Sequence, residues 1–357
     1  MDEFPFLGRL KASAAKRFRG VGNVQITRVN VSEDRERIAA VVVTHNRRLL
    51  LQECLDSLLA QSRLPEAIVI VDNHSTDGTH DHLLTRELIH PDADAHWTVR
   101  SVPASKQTGR QIDVHYVRLK ENSGGAGGFH EGMKRALEAG FDWMWLMDDD
   151  VLACPDALAV LVHQKDRLQA AGDKPVLLNS LVLARGQGDP DQLAFPLQEI
   201  AANGDPKRGV CYWRLSQARH LVKDGLYRWA CPFNGTFVSA RIVREIGLPN
   251  RDFFIWGDER DFLWRAARRF DLYTAVDSRI YHPLSREMGF DWRQYYNIRN
   301  AFVVNRHFRY RRLRNLKLIL GSLIRGLAHG PRGLGLVLRA IHDGLAGRLG
   351  KRGDLTP

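Results

Sequence analysis

Short apolar runs set the frame of the N-terminal half. Ile38–Thr44 (IAAVVVT), 67–71 (AIVIV) and 143–147 (WMWLM) show no polar alternation. Runs of that length, rich in β-branched or aromatic residues, predict strands buried on both faces. Residues 113–119 predict a further strand. Between the runs the period changes: Leu50, Cys54, Leu55, Leu58 and Leu59 recur at the spacing of one helix face over 46–62, and Pro65 ends that stretch. A polar helix is expected over 79–89, a glycine-rich loop over 122–128 and a helix over 129–139. This strand–helix order predicts an α/β fold with a mostly parallel central sheet, in which ligands gather at the carboxyl ends of the strands. Downstream, the pattern predicts a helix and turn over 155–175, strands over 176–183, 233–238 and 272–276, and helices from Ala240, over 258–269 and over 292–311. Residues 186–205 read as irregular, and 24–31 as a weakly alternating candidate strand.

Composition narrows this picture. A chain of 357 residues with 44% hydrophobic content can bury a sizeable core and does not read as disordered. The four cysteines, Cys54, Cys154, Cys211 and Cys231, lack the spacing of a disulfide framework or zinc site, so a reducing compartment is expected. The opening MDEFPFLGRL has no signal-peptide pattern. No apolar stretch reaches the ~20 residues of a spanning helix. The net charge of +11 is lopsided: residues 306–357 hold 12 Lys or Arg and 2 Asp. Such asymmetry points to a polyanionic partner, either nucleic acid or anionic lipid.

Four motifs carry candidate chemistry. Asp148-Asp149-Asp150 follows a buried strand, where three crowded carboxylates need a cation, and Mg²⁺ or Mn²⁺ suits oxygen ligands. In extended chain Asp148 and Asp150 share a side and Asp149 points away. The structural alternative is a solvated loop or a helix N-cap run. Asp72 opens VDNHSTDGT, where an acid suits a ribose or base, or forms an Asx turn. Asn122-Ser123-Gly124-Gly125-Ala126-Gly127-Gly128 permits close backbone approach to an anionic ligand at a helix start, but it is neither GxGxxG nor a Walker loop. In WGDERDF, Asp258 and Glu259 either complement a helix N-terminus or supply a general base. His282 gains value as a ligand only beside a metal held by the aspartates. Trp229 and Trp256 stack on a sugar or pack in the core.

Taken in order, VVVTHNR, VDNHSTDGT, NSGGAGG, MDDDV, WGDERDF and YHP resemble the inverting glycosyltransferases of family 2, which have the GT-A nucleotide-diphospho-sugar transferase fold. The resemblance covers about residues 38–285. It implies that Thr44 and Arg47 hold the nucleotide base and diphosphate, and that Asp72 holds uracil or ribose. Asn122, Gly124 and Gly125 would approach the nucleotide and sugar. Asp148 and Asp150 would bind the metal, His282 would complete the site, and Asp149 would support the donor. Glu259 would be the base where the family often has Asp, with Asp258 as its rival.

Within the family the motifs look closest to bacterial galactofuranosyltransferases using UDP-galactofuranose, with rhamnosyltransferases using dTDP-rhamnose the nearest confusion. Only about 37 residues precede the first strand. The extra N-terminal β-domain of polymerising relatives is therefore not expected, and addition of one or a few sugars to a glycan or lipid-linked glycan is. The resemblance divides the chain into an extension (1–37), a catalytic domain (38–285, with a nucleotide half to 150 and an acceptor half from 151) and a basic helical region (286–357). That last region is expected to lie on the anionic cytoplasmic face of an inner membrane or against another subunit. Nucleic acid is not expected, because acids at successive strand ends repel phosphate.

Overall fold

The apolar runs of the N-terminal half form the centre of one sheet. In this computed structural model the described residues are 36–355, except 93–96, 105–108, 173–174, 187, 202–203, 231 and 285–288. The candidate strand at 24–31, nearly all of the extension and Cys231 lie outside them. In chain order the first elements are β1 (Ile38–Thr44), α1 (Arg48–Leu59), β2 (Ala67–Asp72), α2 (Thr79–Thr85), β3 (Thr98–Pro103), β4 (Gln111–Arg118), α3 (Gly124–Glu138), β5 (Trp143–Asp148), β6 (Leu152–Ala153) and α4 (Ala157–Ala170). Next come β7 (Val176–Arg185), β8 (Gln192–Ile200), β9 (Pro206–Arg214), α5 (Leu215–Ala218), β10 (Leu226–Arg228), β11 (Thr236–Ser239) and α6 (Ala240–Ile246). Last are α7 (Asp258–Ala267), β12 (Asp271–Pro283), α8 (Arg293–Val304), α9 (Arg311–Ala328) and α10 (Gly330–Ala346).

The sheet order is β10-β12-β7-β11-β5-β1-β2-β4-β3. Strands β5, β1, β2 and β4 run parallel, as the alternation with helices requires. The expectation of a mostly parallel sheet fails beyond them. β11 runs against both β5 and β7, β3 against β4, and β10 against β12, so the sheet is mixed. An apolar run reports burial but not direction, and β11 reaches its slot from far downstream.

Period-two alternation sends the strand side chains into two cores. Val41, Val43, Val69 and Val71 meet Phe129 and Met133 of α3 on one face. Ala40, Val42, Ile68 and Ile70 meet Leu51, Cys54, Leu55 and Leu58 of α1 on the other. Burial on both faces is why these strands read as unbroken apolar runs.

Three local readings are corrected. Residues 186–205 contain β8, whose half-exposed face hides its period. The glycine loop is already the first turns of α3, which starts at Gly124 rather than at Phe129. The long helix expected over 292–311 breaks after Val304 into a short 3₁₀ turn at Asn305–His307.

Glu36–Pro357 forms one compact unit, with the basic region packed into it. Tyr295, Tyr296 and Phe302 of α8 pack with Val337 and Ile341 of α10 and with Phe254. Arg299 of α8 is fully buried; its guanidinium donates to the carbonyls of Phe253 (2.9 Å) and Gly350 (2.6 Å) and lies over the Tyr296 ring. These bonds satisfy a charge that would otherwise be costly to bury. They also tie the chain before α7 to the C-terminal tail.

Candidate active site

Strand register brings three loops to one edge. Thr44 pairs with Asp72 across β1 and β2, and Val43 with Asp148 across β1 and β5. Beyond β5, the two residues of β6 pair with Ile280 and Tyr281 of β12. That short pairing folds the aspartate turn against His282. One ligand atom from each of Asp148, Asp150 and His282 then lies within 4.8 Å of the other two. Asp150 Oδ1 is 3.2 Å from His282 Nε2, yet it is buried without a hydrogen bond of acceptable geometry. His282 Nδ1 lies 2.6 Å from the Pro283 carbonyl, and against the lowering effect of burial Asp150 and Asp148 raise the imidazole's pKa; a metal taking the place of the Nε2 proton would leave that nitrogen as a ligand beside the carboxylates. Two carboxylates, one of them with an unsatisfied oxygen, and one imidazole fit a divalent cation.

The electrostatics agree. Burial and the neighbouring Asp150 push Asp148 up to about 6. Burial pushes Asp149 up to about 7, against the pull of Arg47 and Thr44. Burial acts the same way on Asp150, but His282 and Arg47 outweigh it and hold that group below its ordinary value. Three acids this close cannot all ionise without added positive charge. Arg47 supplies some, with one nitrogen 3.2 Å from Asp149 and 2.8 Å from Asp150.

Asp149 is not idle, as simple alternation implied. The chain turns after Asp148, and Asp149 accepts from the buried Thr44 hydroxyl (2.7 Å) as well as from Arg47. Thr44 therefore braces the aspartate turn. Asp72 is fully buried: Oδ1 accepts from the Ser75 amide (2.7 Å) and Oδ2 from the Tyr116 hydroxyl (2.9 Å). It faces its own loop rather than open space, which is the Asx-turn alternative. Asn122 Oδ1 accepts from the Gly124 amide at 2.8 Å. Gly124 has φ +71°, and a Cβ there would lie 2.0 Å from the Phe254 carbonyl oxygen, whereas Gly125 has open space. The glycine loop is thus locked against the segment leading to α7.

At the start of α7, Asp258 is buried and Glu259 is half-buried. Burial pushes Asp258 well above the usual carboxylate range, with Glu259 and Asp148 adding to the effect. Glu259 accepts from the Gly257 amide at 3.2 Å and lines a hollow of about 160 Å³ with Trp256 and Asn297. A larger cleft of about 1080 Å³ opens between β8, β9 and α7–α9, with Arg260, Trp229 and Trp264 on its walls. The two tryptophan rings pack 4.3 Å apart, and Trp229 is buried.

Two asparagines escaped the sequence reading. Asn234 donates to Asp148 Oδ2 (3.0 Å) and accepts from the Asp148 amide (2.7 Å), which clamps that carboxylate. Asn73 donates to the Gly124 carbonyl (3.0 Å) and accepts from the Ser123 amide (2.8 Å), joining the second loop to the glycine loop. Asn73 sits within a motif already singled out. Asn234 lies 86 residues from its partner with no motif around it.

Similarity to known proteins identifies the family. The profile of "Glycosyl transferase family 2" matches residues 39–176. The chain is 35% identical over 254 residues to galactofuranosyltransferase GlfT1 of Mycobacterium tuberculosis, covering 70% of each chain. It is 31% identical over 255 residues to the protein of the same name from Mycolicibacterium smegmatis, covering 70% of this chain and 71% of that one. A solved structure of GalNAc-T7 with UDP, GalNAc and Mn²⁺ superposes with a TM-score of 0.52 at 16% identity, over 76% of this chain and 48% of that one, a likeness of fold. The mixed α/β sheet is therefore of the GT-A kind, and the chain belongs to glycosyltransferase family 2, whose catalytic domain it carries.

Proposed function

We propose that this protein is an inverting, metal-dependent galactofuranosyltransferase. It moves galactofuranose from UDP-galactofuranose to a hydroxyl of a lipid-linked glycan in cell-surface polysaccharide synthesis. The observation that carries the transferase reading is the convergence of Asp148, Asp150 and His282 beside the glycine loop. The choice of sugar rests on the likeness to the mycobacterial galactofuranosyltransferases.

Asp148, Asp150 and His282 would hold Mn²⁺ or Mg²⁺, which supplies positive charge for the departing diphosphate. Arg47 is placed to exchange an aspartate for a diphosphate oxygen, which its planar fork binds well. Gly125 leaves room for the donor to approach the backbone of α3. Thr44, Asp149, Asn122 and Asp72 act on the donor by fixing these loops. Burial and the neighbouring Glu259 favour the protonated form of Asp258, so Asp258 suits a supporting role and Glu259 the role of base. Glu259 accepts the acceptor's hydroxyl proton as the new C–O bond forms at the anomeric carbon and the bond to UDP breaks. One displacement inverts that carbon. The basic C-terminal region holds the enzyme against the cytoplasmic face of a membrane.

The test is transfer and donor hydrolysis with UDP-galactofuranose, UDP-galactopyranose, UDP-glucose and dTDP-rhamnose, each with Mn²⁺ and with chelator. Preference for UDP-galactofuranose that chelator abolishes supports the reading. Preference for dTDP-rhamnose replaces the sugar assignment, and full activity in chelator removes the metal assignment.

A further inference from the structure

Helix α9 carries its apolar stripe on its outer side. Leu313, Leu316, Leu320, Ile324 and Leu327 are between 50% and 70% exposed. With 3.6 residues per turn these five fall within an arc of about 80°. The helix is seated by its other side, where Ser322 and Gly326 are buried and Gly326 meets Val337 of α10. An ordinary core helix has this arrangement reversed. Arg311, Arg312, Arg314, Lys317 and Arg325 are the charged residues of the helix, which has no acid. On the helical wheel Lys317 and Arg314 border one flank of the stripe and Arg312 the other.

We propose that the outer face of α9 docks in the plane of an anionic lipid leaflet. Leu316, Leu320, Ile324 and Leu327 would sit among the headgroups, and the flanking cations would meet lipid phosphates. The charge decides between occupants: a second copy of this face would set the three flanking cations against three more with no acid between them. Insertion across the bilayer is excluded, since among the described residues no helix is long and apolar enough. The flank bearing Leu318, Gly321 and Arg325 also lines the large cleft, which would therefore open at the lipid surface. Entry of a lipid-borne acceptor there rests on the function proposed above, whereas the docking itself does not.

The experiment is co-sedimentation of the full chain with vesicles of phosphatidylcholine, alone or mixed with phosphatidylglycerol. A Leu320→Glu/Ile324→Glu variant is measured in parallel. Both positions are exposed, so its circular dichroism and donor hydrolysis should match the wild type. Binding at least tenfold stronger to the mixed vesicles, weakened by salt and reduced tenfold or more in the variant, supports the docking. Equal binding by the variant, or no binding by the wild type, overturns it. So does a wild-type dimer that the variant converts to a monomer without any vesicle binding, since a second copy would then cover the face. Failed sedimentation with intact sugar transfer removes the docking and the membrane placement and leaves the transferase reading, and the reverse result removes only the sugar-transfer assignment.

Discussion

Adjacent glycines at the start of α3 should answer the same substitution in opposite ways. Gly124→Ala meets two penalties. Its φ of +71° costs an L-residue about 1–2 kcal/mol. The new Cβ would also lie 2.0 Å from the Phe254 carbonyl oxygen and 2.5 Å from its carbon. These are backbone atoms, so no rotamer change relieves the clash. Moving them breaks the bond from the Ala126 amide to the same oxygen (3.0 Å), at about 1–3 kcal/mol for the groups left unpaired. A loss of about 2–5 kcal/mol follows, a large part of a typical domain's stability. Gly125→Ala meets nothing within 4 Å and has no left-handed φ. Within the helix the alanine should be neutral or stabilise by about 0.5–1 kcal/mol. Urea unfolding of both variants is the assay. Equal stability of Gly124→Ala and wild type would refute the locked-loop reasoning, as would a loss in Gly125→Ala matching that in Gly124→Ala. In Gly125→Ala the donor KM should rise while stability holds, because the methyl group occupies the room left for the donor.

The remaining predictions concern the acids. Asn234→Ala should weaken Mn²⁺ binding by about 10–100-fold in calorimetry by freeing the Asp148 carboxylate, and unchanged affinity would show that the clamp is unimportant. Glu259→Gln should lower kcat by roughly 10²–10⁴-fold with donor affinity intact. Asp258→Asn should cost less than about tenfold, because the amide mimics the protonated carboxyl that burial favours; the reverse order would make Asp258 the base. Asp261 is contacted by His307 (2.7 Å) and Arg265 (2.9 Å); burial acts to raise its pKa, but these partners outweigh it and hold the group below the ordinary value. A depressed carboxylate stabilises above its unfolded pKa of about 3.9, and that stability fades as pH falls through the lower folded value. Asp261→Asn should therefore cost about 1.5–3 kcal/mol at pH 7, the range for hydrogen bonds to a charged group, and progressively less below about pH 4, with urea midpoints across pH as the readout.

The catalytic half was legible because its strands are buried on both faces and each ends in its motif. β1, β2 and β5 lie within a residue of the expected limits. β8 and β9 were not legible, since a half-wet hairpin with register shifts has no clean period. The cluster of Asp148, Asp150 and His282 was legible as a set of types, two aspartates and a histidine. Residue types do not carry orientation, however. Asp72, read from the sequence as a donor-binding acid, is buried with its carboxylate accepting from Tyr116 and Ser75, an orientation that no motif predicts.

By itself the sequence determined which segments are strands of a covered sheet, which acids stand at their ends, and that nearly all the net charge lies after residue 305. Those properties follow from local period and composition. The tertiary structure alone decided the direction of β11, the clamp of Asn234 on Asp148 and the approach of His282 to Asp150 through β6. It also decided which side of α9 faces outward. Each depends on pairing between residues distant along the chain, and only the folded packing selects those partners.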